Sequence, residues 1–188
     1  MIRVIQNVLP IMRRKRKGVI VNISSIAGLV GIPSQSVYVA TKFAVEGLSE
    51  SLSYELETFG IKIILVEPRV INTKFVQSLI VPNNRYKIEI NQDQTDRSEF
   101  NINNNLLSPY NNTIKKFLSF YYNAMINAPH PHIVANEIIQ GIETMLNGKN
   151  TLTFLRVNVG KDSGKYSKLK KELSDNELHE IIKEDLLK

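Results

Sequence analysis

The sequence predicts an α/β fold with parallel strands, and three features carry that prediction. Val19 to Ser24 (VIVNIS) and Ile61 to Val66 (IKIILV) are short apolar runs rich in branched residues, the pattern of strands buried on both faces. Between them a helical periodicity runs from about Ser36 to Thr58, with Val37, Ala40, Ala44, Leu48, Leu52 and Leu56 in one stripe and Gly60 as its stop. Strand, helix and strand joined by short loops make a βαβ unit, whose two strands lie parallel.

Composition narrows the class. With 188 residues, 43% apolar and 22% charged, the chain suits a single domain, residues 1–188, with a sizeable core. No apolar run approaches the roughly 18 residues of a membrane helix, and the first residues do not form a secretory signal, so a cytoplasmic protein without a membrane partner is expected. The absence of cysteine excludes disulfides, thiolate metal sites and cysteine nucleophiles. A net charge of +6 raises the question of nucleic acid. The excess is concentrated in RRKRK (Arg13 to Lys17) and in the segment from Lys161 to Lys171, and no aromatic residue interleaves with the first run. A solvated helix end, where cations favour the dipole, is the better reading, and no nucleic-acid partner is expected.

In chain order, Ile5, Val8, Leu9 and Met12 predict an amphipathic helix over 1–16 that contains Pro10 and ends in the basic run and Gly18. The strand VIVNIS follows, then a loop, AGLVGIPSQS, then the long helix and the second strand. From 76 to 112 periodicity fades and asparagine accumulates, which predicts a long, partly disordered loop. Helical spacing returns from Thr113 to Asn127 through Ile114, Phe117, Leu118 and Tyr121. Tyr121 and Tyr122 suit either apolar cover for a ligand or ordinary helix packing, and packing is the plainer reading. His130 and His132 flank Pro131; that spacing is poor for sharing a metal on a helix, so a helix-entry turn is expected and no metal site is predicted. A helix from Ile133 to Leu146, a strand over Leu152 to Val157 and a charged helical tail complete the chain.

The chemistry-bearing residues gather around the first strand. Tyr38 and Lys42, four residues apart, leave one helix face a turn from each other, and Ser25 lies just past the strand end. A phenol of ordinary pKa near 10 is a poor acid or base at neutral pH, but an adjacent ammonium favours its phenolate. A hydroxyl beside that phenol orients a carbonyl or alcohol for proton exchange. A plainer alternative makes Tyr38 a core-edge aromatic, Lys42 a solvated helix residue and Ser25 a turn former.

NISS, Ser25 and YVATK resemble the active-site signature of the short-chain dehydrogenase/reductase family. The resemblance implies that Tyr38 exchanges a proton with the substrate oxygen, that Lys42 lowers its pKa and holds the nicotinamide ribose, and that Ser25 positions the substrate. It extends to EPRVINT, where Pro68, Ile71 and Thr73 stand at family positions that contact the cofactor and Arg69 replaces a usual glycine. The implied activity is NAD- or NADP-dependent hydride transfer on an alcohol or ketone, with the 76–112 region as substrate loop. The GKDS segment and charged tail are similar to the ends of steroid- and retinol-type members, which places the carboxyl terminus near that loop. The implied fold is a Rossmann-like, doubly wound parallel sheet, of which this chain supplies about the last three strands with their flanking helices. The glycine-rich pyrophosphate turn belongs to the half not seen here, so a fragment, or one part of a split enzyme with a missing amino-terminal half, is expected. The family's habit of pairing suggests a homodimer through the helices at 1–16 and 36–58. An association module without catalysis is the alternative function.

Overall fold

A computed structural model describes residues 1–75, 88–89, 101–102, 109–148, 150–160 and 163–187. Four elements build the first unit: α1 (Ile2–Lys15), β1 (Gly18–Ile23), α2 (Ser36–Leu56) and β2 (Ile61–Pro68). β1 and β2 pair in parallel, with Gly18 opposite Ile61 and Ile23 opposite Val66. A two-residue antiparallel ladder, β3 (Ile88–Glu89) with β4 (Asn101–Ile102), follows. The rest of the expected 76–112 loop lies outside the described residues, apart from a turn at 109–110 and the first two residues of the next helix. That helix is α3 (Asn111–Ile126), and α4 (His132–Leu146), β5 (Phe154–Val159), α5 (Ser163–Glu172) and α6 (Asp175–Leu187) complete the chain. β5 pairs in parallel with β2, so the sheet order is β1-β2-β5 and β2 is central. An incomplete, doubly wound α/β architecture is what the sequence implied.

Both faces of the central strand are covered, which is why IKIILV reads as one apolar run rather than an alternation. Ile61 and Ile63 join Ile5 and Leu9 of α1, Ile20 of β1 and Leu56 of α2 in one cluster. Ile64 and Val66 point the other way, toward Met145 of α4 and Val159 of β5. Each such burial stabilises by roughly 1.5–3 kcal/mol. Lys62 is the polar interruption, and its ammonium is satisfied by the carbonyls of Met145 at 2.7 Å and Asn150 at 3.0 Å.

Three local expectations change. The stripe read along α2 is only partly its buried face: Leu56 is in the core and Leu52 packs against it, but Val37 is 79% exposed, and Ala40 and Ala44 face solvent. The buried positions are Glu46, Ser49, Ser53 and Leu56, which continue the side that carries Tyr38 and Lys42. The reason is polar: Asn22 of β1 is buried and donates to Ser49 Oγ at 2.8 Å, so this interface selects small hydrogen-bonding residues that a search for apolar periodicity passes over. Second, α1 covers about the residues expected, but its left-handed stop is Arg16 (φ 48°) rather than Gly18, and Arg16 donates from Nη2 to the Thr58 carbonyl at 2.6 Å. Third, the expected helical tail is divided into two helices, α5 and α6. Ser174 and Glu177 form a reciprocal cap, with Ser174 N donating to Glu177 Oε2 at 2.9 Å, and that cap starts α6 afresh.

Candidate active site

The site is built where β1 and β2 end. Ser24 and Ser25 follow β1 directly, and Ser25 caps a single turn of tight helix at Ile26–Gly28, its Oγ accepting from the Ala27 amide at 3.2 Å. That turn fixes the hydroxyl, which also hydrogen-bonds to Tyr38 on the first turns of α2. Lys42 lies one turn further, its Nζ 5.6 Å from the centre of the Tyr38 ring and donating to the Ile23 carbonyl at 3.0 Å. The three predicted residues are therefore brought together, from a strand end and one helix face.

Electrostatics depart from expectation in one respect. Burial raises the Tyr38 phenol above its ordinary value and outweighs the Ser25 hydrogen bond, which lowers it. Lys42 is itself partly desolvated, and burial lowers it against the attraction of Glu46. The phenol is thus the stable form at neutral pH, because loss of water costs the anion more than its neighbours return.

All three residues line one cavity of about 550 Å³, and so do Pro68, Ile71 and Thr73 from the segment after β2. Arg69, where the family pattern favours glycine, fits without strain. It is not among the residues of positive φ, and its amide donates to the Val159 carbonyl at 3.0 Å. Gly160 takes the unusual conformation instead, at φ 103°.

Part of the cavity wall is aromatic. Phe117, Phe120 and Tyr121 of α3 reach the cavity together with Phe75. Phe117 stacks on Tyr121 with ring centres 5.7 Å apart, and Phe75 lies 6.2 Å from the Tyr38 ring. Burial, with the nearby Tyr38 and Tyr122, pushes the Tyr121 phenol up to about 12. Tyr121 is therefore cavity lining as well as helix packing. Its i, i+3, i+4 spacing with Phe117 and Phe120 was a signal the sequence offered. Pro131 and Ile138, from the start of α4, close another side, and Tyr166 and Leu186 bring the tail hairpin to the rim. His130 and His132 form the expected helix entry, with their Nδ1 atoms 2.9 Å apart.

A model of the short chain dehydrogenase family matches residues 1–83, the stretch that carries Ser25, Tyr38, Lys42 and EPRVINT. Over that stretch the chain is similar to short-chain dehydrogenases. A 3-ketodihydrosphingosine reductase of Bacteroides thetaiotaomicron is 55% identical over 71 residues, 38% of this chain and 26% of that protein. Retinol dehydrogenase 8 of Bos taurus is 47% identical over 79 residues, 42% of this chain and 25% of that protein. The matched segment thus spans about a quarter of the length of these relatives. A short-chain dehydrogenase from Streptomyces avermitilis superposes on 95% of this chain and 56% of its own, with a TM-score of 0.56 at 24% identity, which supports the fold. No helix among the described residues is long and apolar enough to cross a membrane.

Proposed function

We propose that this chain carries the catalytic residues of an NAD(P)-dependent oxidoreductase of the short-chain type, acting on an alcohol or ketone with a bulky apolar body. The observation that supports it most is the convergence of Ser25, Tyr38 and Lys42 on one apolar cavity at the carboxyl ends of parallel strands, where open α/β sheets take ligands. Tyr38 exchanges a proton with the substrate oxygen, and the Ser25 hydroxyl orients that oxygen against the phenol. Lys42 keeps a positive charge beside the ring, favouring the phenolate that forms when the proton leaves.

The cavity fits the nicotinamide end of the cofactor: apolar walls, one ammonium and the Thr73 hydroxyl present the polarity that a ring, a carboxamide and a ribose need. Tyr38, Lys42, Pro68, Ile71 and Thr73 would hold it, and NAD or NADP bound there supplies the hydride. The aromatic wall argues for an apolar substrate body, and the sphingoid and retinoid named in the two relatives are of that kind. Titrating NADH and NADPH into the purified chain tests the cofactor reading. An enhanced nicotinamide fluorescence that Lys42→Ala weakens is expected. No response at millimolar cofactor would remove cofactor chemistry from this chain.

A second reading, association with another copy through α1 and α2, is favoured by the exposed Ile2, Val4 and Ile11 on α1 and Val37, Phe43 and Tyr54 on α2.

A further inference from the structure

On the face of the sheet that α2 covers, three carboxylates gather round one guanidinium. Arg156 of β5 donates from Nη1 to Glu67 Oε1 at 2.8 Å and to Glu46 Oε2, and from Nη2 to Glu50 Oε2 at 3.0 Å. Glu67 is 0% exposed and Glu46 7%, whereas Glu50 lies at the surface. Among the described residues, the second oxygens of both buried acids, Glu46 Oε1 and Glu67 Oε2, have no hydrogen-bond partner, nor does the buried Ser24 Oγ. Room for them is left by Gly28: a Cβ there would fall 2.6 Å from Ser24 Oγ and 3.0 Å from Glu46 Oε1. Carboxylates withdrawn from water at this density are costly unless they do something that apolar packing cannot.

Lys42 precedes this group on the same side of α2. Glu46 stands one helical turn from it, and attraction to Glu46 opposes the desolvation that would strip the ammonium of its charge. We propose that Glu46, backed by Glu67 and Arg156, is the positioning residue for Lys42, holding the ammonium against the Ile23 carbonyl and over the Tyr38 ring. Its functional meaning rests on the reading of Tyr38 and Lys42 as a proton-transfer pair, but its geometry does not. The charged groups on this face are Lys42, Glu46 and Glu50 of α2, Glu67 of β2 and Arg156 of β5. Asn158 is paired with Glu67 in register, and Lys62 is turned to the α4 side. Burial raises Glu67, the Arg156 hydrogen bond opposes that rise, and the net direction is upward, so this acid takes up its proton above the ordinary glutamate range.

The test follows the Lys42 side chain by its carbon-13 ε resonance from pH 4 to 11, assigned with Lys42→Arg. The wild-type chain is expected to show the deprotonation of Lys42 and a smaller second inflection, from Glu67, above pH about 4.5. Glu46→Gln should lower the Lys42 midpoint by about one pH unit and weaken the second inflection. Glu50→Gln, which alters only the exposed contact, should move neither by more than about 0.2 unit. Equal titrations in wild type and Glu46→Gln, or an equal effect of Glu50→Gln, would overturn the proposal. If Glu46→Gln fails to give a folded amide spectrum, the wild-type curve decides, and absence of the second inflection overturns it. The readout is blind to turnover, so an inactive or cofactor-free chain leaves this result separate.

Discussion

Tyr38 is protonated at neutral pH because burial disfavours its anion, so the two directions of the proposed reaction should respond differently to pH. Carbonyl reduction uses the phenol and should hold steady through neutral pH. Alcohol oxidation uses the phenolate and should rise with pH toward and beyond about 10. Ser25 lowers the phenol, so Ser25→Ala should carry the alkaline rise of oxidation to higher pH, as a pH series of initial rates would show. Gly28 makes a different kind of prediction. A methyl group there meets Ser24 Oγ at 2.6 Å and Glu46 Cγ at 2.8 Å, so Gly28→Ala should destabilise by about 1–3 kcal/mol in denaturant melts. At this scale Ser25, Tyr38 and Lys42 were legible because their chemistry is local and their spacing helical. Glu67 and Arg156 were not, since 89 residues separate them and only β2–β5 pairing joins them. A carboxylate closing the run IKIILVE was nevertheless a hint that a buried charge needed a partner.

Among the elements, α2 and the tail hairpin decide the site. The amino-terminal part of the α2 face was misread because Asn22 demands a hydroxyl from Ser49, and Val37, Ala40 and Ala44 of the predicted stripe face water while Leu52 and Leu56 pack on the core. The tail packs Tyr166, Leu178, Leu169 and Ile182 against Ile26, Leu29, Val30 and Ile32, the loop just beyond Ser25. The family resemblance set the tail near the 76–112 loop, most of which lies outside the described residues, and no periodicity signalled this packing beside Ser25. Tyr166 is 1% exposed and donates from its hydroxyl to Asp185 Oδ2 at 2.9 Å, beside the Lys165–Asp185 ion pair. Tyr166→Phe keeps the ring and should cost about 1 kcal/mol, whereas Tyr166→Ala should cost about 3–5 kcal/mol. For Asp185, burial pushes the carboxyl up, but Lys165 and Tyr166 outweigh it and its pKa is lowered. The contribution of Asp185 is therefore present above pH about 4 and lost as pH falls through its depressed value. Amide exchange in α6 should accelerate in acid before exchange in β2 does.

For the whole molecule, the parallel three-stranded sheet was legible because β1, β2 and their intervening helix each announce themselves over a few residues. The cavity was not, since it needs α3, α4 and the tail to be brought over the strand ends by contacts that no short window contains. The apolar residues exposed on α1 and α2 carry the association reading. Paired Val37→Glu and Phe43→Glu changes, at positions 79% and 44% exposed, should shift sedimentation toward monomer with little change in melting temperature. An unchanged mass would remove this face from assembly.

The most direct measurement is the rate of reduction of an apolar ketone by this chain with NADH or NADPH, compared between wild type and Tyr38→Phe. Loss of the phenolic hydroxyl should lower turnover by about 10²–10⁴-fold while cofactor binding, read by fluorescence, is largely kept through Lys42 and the segment after β2. Turnover that survives in Tyr38→Phe, or a wild-type chain that binds cofactor and ketone without reacting, would contradict the account.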